Sequence, residues 1–310
     1  MTQTAIVFPG QGSQYLGMLK DYYQRFETVR LSFDEAGEAL GYDLWQTIQN
    51  DEKKLNQTAC TQPALLAASV AIWRVLSEHG LRKPNRLAGH SLGEYSALVC
   101  AKSLAFPDAL RLVRKRGELM QSAVTDTPCA MSAILALSNE AVIECCEEAQ
   151  KYGVVEPANF NSIGQIVISG EKKAVEKANE IAKGKGAKRA QLLAVSVPSH
   201  CILMKPAAER FAAVLDEIGF QTPEIPILHN VDIQTHSSAD GIKKALVKQL
   251  YSPVLWTQTI EKIAETGIEQ VLECGAGKVL TSLNKRITKA MTYSDTSSVE
   301  MLEKFTTLNA

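Results

Sequence analysis

The chain has 310 residues, of which 45% are apolar and 22% charged, and a formal net charge of −1. That length buries a sizeable core and exceeds one typical domain. The near-neutral balance excludes a basic nucleic-acid face, and the longest apolar stretch, residues 64–73, is too short to cross a bilayer. Seven cysteines, odd in number and without a CxxC pair, imply a reduced cytoplasmic protein with buried thiols rather than a disulfide framework. No signal peptide is expected, because the first strand starts by Thr4.

Ala5-Ile6-Val7-Phe8, ended by Pro9-Gly10, reads as a buried parallel strand and a tight loop. Helical patterns follow over residues 21–40. A second helix is expected over 61–79, with Thr61 as N-cap and Pro63 in the first turn, where a missing N–H costs little. A short strand ends at Arg86-Leu87-Ala88. Then comes Gly89-His90-Ser91-Leu92-Gly93, a G-x-S-x-G string, followed by a helix over 94–101. A strand, a turn carrying serine and a helix make a nucleophile elbow. The flanking glycines permit the sharp turn, and the helix N-terminus favours developing negative charge at the serine.

Residues 108–124 read as a helix with the apolar stripe Ala109, Leu112, Val113, Met120 and Ala123. Arg116 falls in the middle of that stripe, whereas Arg111, Arg114, Lys115 and Glu118 form a solvated face. An inward arginine must be paired. Its partner is either an internal carboxylate or a carboxylate that arrives with a substrate and is gripped bidentately.

The middle of the chain reads as strand 130–137, helix 139–151, strands 154–159 and 165–169, helix 171–184 and strand 188–195. That βαββαβ order is the ferredoxin-like split motif. It predicts a small domain, residues 125–196, with a four-stranded antiparallel sheet and two helices on one face. This domain is inserted into a large α/β-hydrolase-like domain with a parallel sheet, residues 1–124 and 197–310. The large domain resumes with helix 204–218, strand 226–230, helices 238–250 and 253–266, strand 270–273 and helix 278–287. The last twenty or so residues are polar and are expected to be loosely held.

Serine needs a base. Of the five histidines, His90 adjoins Ser91 and points elsewhere, His79 ends a helix, and His229 and His236 lie in or near a late strand and its polar loop. His200 sits where the small domain returns to the large one, at a junction of the kind that forms clefts. The loop Pro9-Gly10-Gln11-Gly12-Ser13-Gln14 fails both nucleotide spacings, since Tyr15 replaces the third fingerprint glycine and no Gly-Lys-Ser/Thr follows. It pairs better with the elbow: the N–H groups of Leu92 and Gln11 are candidates for an oxyanion hole, against the alternative of a plain strand-to-helix turn. No HExxH or paired Cys/His spacing suggests a metal.

Five strings in order carry a wider resemblance. They are Phe8-Pro9-Gly10-Gln11-Gly12-Ser13-Gln14, Thr61-Gln62-Pro63-Ala64-Leu65, Gly89-His90-Ser91-Leu92-Gly93-Glu94, Arg116-Gly117 and Val197-Pro198-Ser199-His200. Together the chain resembles malonyl-CoA:acyl carrier protein transacylases, stand-alone relatives of the acyltransferase domains of fatty-acid and polyketide synthases. The resemblance implies Ser91 as acyl-carrying nucleophile, His200 as general base and Arg116 as the group that binds the malonyl carboxylate. It implies Gln11 and Leu92 as oxyanion donors and the Gln249 backbone carbonyl as the group orienting the histidine. Gln62 and Met120 join the substrate-binding set, and Asn159, Asn161 and Asn230 are polar supports. Ala276 stands where the family commonly has proline and Leu255 where it commonly has arginine.

The resemblance further implies malonyl-CoA and acyl carrier protein as partners, no nucleic acid or membrane, a monomer, and no cofactor beyond the CoA thioester and the partner's phosphopantetheine. The pathway expected is fatty-acid synthesis. The alternatives are a serine hydrolase or thioesterase on the same elbow, for which Asp126 or Glu156 would have to complete a triad, and a non-catalytic carrier-binding module. Arg116 discriminates, because a simple esterase has no use for it.

Overall fold

The computed structural model describes residues 2–123, 128–195 and 197–309. Residues 125 and 196, where the domain boundaries were expected, and Asp126 lie outside the described residues. The strands are β1 (Thr4–Phe8), β2 (Arg86–Gly89), β3 (Cys129–Leu135), β4 (Val155–Ser162), β5 (Gln165–Glu171), β6 (Arg189–Leu192), β7 (Ile227–Leu228), β8 (Gln270–Glu273) and β9 (Thr292–Asp295). They form a five-stranded sheet in the order β7-β2-β1-β8-β9, with every pair parallel. A separate four-stranded sheet, β4-β5-β3-β6, is antiparallel throughout.

The period-2 alternation of a strand sorts the large sheet's side chains into two layers. Ile6, Phe8, Leu87 and Leu272 pack with the helices Thr58–Glu78, Gly93–Cys100 and Phe106–Ser122 on one face. Ala5, Val7, Ala88, Leu228 and Val271 meet Trp256, Ile260, Ile263 and Leu283 on the other. Both faces are covered, which is why β1 reads as a continuous apolar run. Just past the C-terminal ends of β1 and β2, Gln11 and Ser91 line one cavity, and Asn230, just past β7, is buried behind Ser91. Open α/β sheets bind ligands at this edge.

In the small sheet, Ala130, Ile134, Ile166 and Ile168 pack under the helices Asn139–Ala149 and Lys172–Gly184. The opposite face presents Met131, Ala133 and Val167 toward the large unit. Backbone bonds tie the two together: Phe160 N donates to Val254 O (3.0 Å) and Val254 N to Ala158 O (2.9 Å).

Several sequence expectations need correction. The helix expected over 61–79 starts at Thr58, so Thr61 is not its N-cap and Pro63 lies inside it. The Thr61 hydroxyl donates instead to the Leu55 and Gln57 carbonyls, at 2.6 and 3.1 Å. By length and composition this helix is apolar enough to cross a membrane, which the shorter run 64–73 concealed. The protein's own core buries 83% of its most apolar window. The pattern over 21–40 is two helices, Lys20–Arg25 and Glu27–Leu40, broken at Phe26, whose backbone is extended.

The C-terminal residues are not loosely held. β9 pairs with β8, and the helix Val299–Asn309 buries Leu302 and Phe305. Tyr22 Oη donates to the carbonyls of Thr296 and Ser298, at 2.9 and 2.8 Å. A four-residue edge strand with polar outward positions carries too weak a pattern to be read from sequence.

Glu273 ends β8 fully buried and caps the following helix, accepting from Leu280 N at 3.0 Å and Thr281 N at 2.6 Å. Burial raises its pKa from 4.5 to about 7 against the lowering effect of those bonds. Glu273→Ala is expected to cost about 1–3 kcal/mol in urea unfolding, because it orphans two buried donors. A raised native pKa means that the side chain's contribution is complete below 4.5 and fades as pH rises through about 7. The penalty of the variant should therefore shrink over that interval. A penalty that grows with pH would show that the ionised form is the one the fold prefers.

Candidate active site

The elbow is built by close approach. A Cβ on Gly89 would fall 1.9 Å from the Gly93 carbonyl carbon, and one on Gly93 would fall 2.0 Å from Phe8 O. Only glycine lets β2, β1 and the helix Gly93–Cys100 converge there. Ser91 between them has φ 51°, a left-handed conformation that costs an L-residue energy and must be held. Asn230, just beyond β7, holds it from both sides. Its Oδ1 accepts from Ser91 N (2.7 Å), and its Nδ2 donates to Gly89 O (2.7 Å).

His200 is also left-handed, at φ 64°, and its N–H donates to Leu250 O (3.0 Å). Its Nε2 lies 2.8 Å from Ser91 Oγ and its Nδ1 lies 2.8 Å from the Gln249 backbone oxygen. A carbonyl can only accept, so Nδ1 carries the hydrogen and Nε2 is left as the acceptor facing the serine. Burial, reinforced by the Arg116 charge and opposed by the Gln249 carbonyl, pulls the His200 pKa down to about 3. The imidazole is thus neutral near pH 7.

Arg116 reaches the same point from the helix Phe106–Ser122 and is 1% exposed. Gly117 lets that helix approach closely, since a Cβ there would sit 2.7 Å from Ala59 Cα. Nη1 donates to Gln62 Oε1 (2.9 Å), and Nη2 donates to Gln249 Oε1 (2.9 Å) and to Ser91 Oγ (3.3 Å). The Tyr95 ring lies with its centroid 5.4 Å from Cζ, and among the described residues Nε has no hydrogen-bond partner. Among the described residues no carboxylate hydrogen-bonds to this guanidinium. Among the described residues it forms no internal ion pair; the buried Glu94 carboxylate acts on it only through space, which favours the charged guanidinium against the effect of burial.

The other expected residues gather around a cavity of about 260 Å³ between the two sheets. Gln11, Leu92, Met120, Asn159 and Asn161 line it beside Ser91, Arg116 and His200. Gln62 Nε2 donates to Met120 Sδ at 3.6 Å. Asn161 touches His90 rather than the serine, with Oδ1 2.8 Å from His90 Nε2. Asn159 sits at the β4 junction with Val254. Glu156, the rival triad carboxylate, accepts from Ile202 N (2.8 Å) and makes no bond to His200.

Two features went unread in the sequence. The Gln249 side chain, not only its carbonyl, belongs to the site. Glu94 is fully buried behind Ser91 and paired with His229 at 2.5 Å. The signal for Glu94 was the one that exposed Arg116, a charge inside an apolar helix.

A family model described as the acyl transferase domain matches residues 5–308. The chain belongs to the acyl transferase family. A malonyl CoA-acyl carrier protein transacylase of Escherichia coli O157:H7 is 53% identical over 295 residues, covering 95% of this chain and 96% of that protein. A malonyl-transacylase solved in complex with a type II polyketide synthase acyl-carrier protein superposes with a TM-score of 0.98 at 52% identity. It covers 99% of this chain and 100% of the other. The transacylase of Coxiella burnetii gives 0.97 at 46%, covering 99% and 97%. The structure places the two residues at which the resemblance implied a proline and an arginine. Ala276 is buried in the core. Leu255 packs against the small unit's core while its N–H donates to Asn230 O (3.2 Å).

Proposed function

We propose that this chain transfers the malonyl group from malonyl-CoA to the phosphopantetheine thiol of acyl carrier protein, through a malonyl ester on Ser91. The observation that carries the reading is the buried guanidinium of Arg116, 3.3 Å from Ser91 Oγ and, among the described residues, hydrogen-bonded to no carboxylate. Malonyl brings the missing carboxylate.

His200 Nε2 takes the Ser91 proton as Oγ attacks the thioester carbonyl. The developing oxyanion is met by the N–H groups of Leu92 and Gln11. Collapse expels the CoA thiolate, which receives the proton from His200. The carrier's thiol then gives its proton to His200 and attacks the ester, and Ser91 leaves with that proton. Each step uses groups of this chain and atoms of the two thiols; no metal is called for. A neutral carbonyl behind His200 stabilises imidazolium less than a carboxylate would, which favours transfer to thiols over hydrolysis.

The substrate also tunes the base. A carboxylate on Arg116 cancels the charge that helps depress His200, so the imidazole becomes more basic once malonyl is seated. For the free enzyme, kcat/KM should stay flat through 6.5, the ordinary imidazole value, and fall only in more acidic solution. In Arg116→Ala the acidic limb should move upward. A wild-type limb at 6.5 that the variant leaves in place would contradict the coupling.

The test of the function is a mass spectrum of the protein after incubation with malonyl-CoA. The expected result is a malonyl adduct on the Ser91 peptide that moves to holo acyl carrier protein when it is added. Free malonate formed as fast as the carrier adduct would favour the hydrolase reading.

We also read the large unit, 1–124 and 197–310, as hydrolase-like and the inserted unit, 125–196, as ferredoxin-like. The elbow on a parallel sheet supports the first, and the order β4-β5-β3-β6 with two helices on one face supports the second. Seven free cysteines support a cytoplasmic location.

A further inference from the structure

Glu94 is a buried carboxylate that the transfer chemistry does not use. Its Oε1 faces His229 Nδ1, and its Oε2 accepts from Asn230 N (3.0 Å) and from Gln249 Nε2 (3.0 Å). These contacts lead to Ser91, His200 and Arg116. Asn230 clamps the elbow at Ser91 N and Gly89 O. Gln249 orients His200 through its carbonyl and Arg116 through its Oε1.

The amide of Gln249 has one acceptor end and one donor end. Its donor end is committed twice, to Glu94 Oε2 and to Ser91 O (3.0 Å). That commitment turns the acceptor end toward Arg116. The flipped amide would set NH₂ against the guanidinium donors, and its oxygen against a carboxylate and a carbonyl. Three favourable contacts would become three repulsive ones. Of the two acceptors that prevent the flip, Glu94 is the charged one, and charge-assisted bonds are the stronger.

We propose that Glu94 is a positioning residue for acyl selectivity: by fixing the orientation of the Gln249 amide, it aims the Arg116 fork at the place where the substrate's carboxylate binds. The proposal rests on the malonyl-transfer reading above. A purely structural Glu94 would lower stability and would slow all acyl groups alike. A positioning Glu94 acts on the malonyl-to-acetyl ratio, because acetyl has no carboxylate for Arg116 to meet.

The experiment measures kcat/KM for malonyl-CoA and acetyl-CoA in wild type, Glu94→Ala, Glu94→Gln, Arg116→Ala and the double variant Glu94→Ala/Arg116→Ala. Thermal denaturation of each runs alongside. Glu94→Ala should lower the malonyl-to-acetyl ratio about tenfold, within the range of measured couplings between contacting groups. In the Arg116→Ala background the same change should leave the ratio where Arg116→Ala alone put it. Glu94→Gln should hold the ratio near wild type, since its amide oxygen can still accept from Gln249 and Asn230 while its NH₂ faces His229. Should Glu94→Ala fail to fold, Glu94→Asp, which withdraws the acceptor by one methylene, replaces it with the same expected direction. An unchanged ratio in Glu94→Ala or its Asp substitute overturns the proposal. So does an equal drop in the ratio in both backgrounds, or a collapse of the ratio in a folded Glu94→Gln. Wild type that takes no malonyl onto Ser91 would instead refute the function itself.

Discussion

The His200→Ala variant is expected to acylate Ser91 about 10²–10⁴ times more slowly than wild type, the usual contribution of a positioned general base. The geometry leaves no substitute. His200 Nε2 is the ring nitrogen facing Ser91 Oγ, at 2.8 Å, and the neighbouring imidazole, His90, is held to Asn161. Among the described residues no carboxylate bonds to His200, so the proton transfer depends on a ring held by the Gln249 carbonyl. Arg116 remains in place, so malonyl-CoA should still bind, and the loss should fall on kcat rather than on KM. Rapid-quench mass spectrometry of a single turnover measures the rate of adduct formation. A decrease under about tenfold would mean that another group activates the serine.

Arg116→Ala is expected to lower the malonyl-to-acetyl selectivity by roughly 10–150-fold, while Ser91 stays acylatable. A charge-assisted contact in a shielded pocket is worth about 1.5–3 kcal/mol, and each 1.4 kcal/mol is about a factor of ten. The variant also leaves the substrate carboxylate desolvated and unpaired, which adds to the penalty. Arg116→Lys should rescue only in part. A lysine cannot reproduce the planar fork that now spans Gln62 and Gln249 at 2.9 Å each. The measurement is kcat/KM for both thioesters in wild type and both variants. If the ratio in Arg116→Ala equals that of wild type, the arginine holds the fold together and does not read the acyl group.

Much of this protein is legible in its sequence. The elbow was legible because a left-handed serine between converging backbones requires Gly89 and Gly93, and the requirement is written as a fixed spacing. Arg116 was legible because a charge on the apolar side of a helix breaks its period. The small antiparallel sheet was legible because β3 to β6 and their two helices alternate cleanly between periods of two and 3.6. These are local rules, in which each residue's role follows from near neighbours in the chain.

What the sequence did not carry depends on residues that are distant in the chain. β9 is an edge strand stabilised by pairing with β8, so its polar outward face hid it. Thr61 looked like a cap because capping residues are recognised locally, yet its hydroxyl is engaged by Leu55 and Gln57, and the helix starts three residues earlier. Position alone could nominate His200 but not place it. It is brought to Ser91 across 109 positions of sequence, by a carbonyl at the end of another helix. The links among Glu94, Asn230 and Gln249 span more than 130 positions, and no periodicity records them. Spacing and pattern determined the elbow, the buried cation and the order of the elements, because backbone sterics and burial act on short stretches of chain. Only the tertiary structure decided which polar groups meet, because a buried hydrogen bond is chosen by whatever donor the packed elements bring within reach.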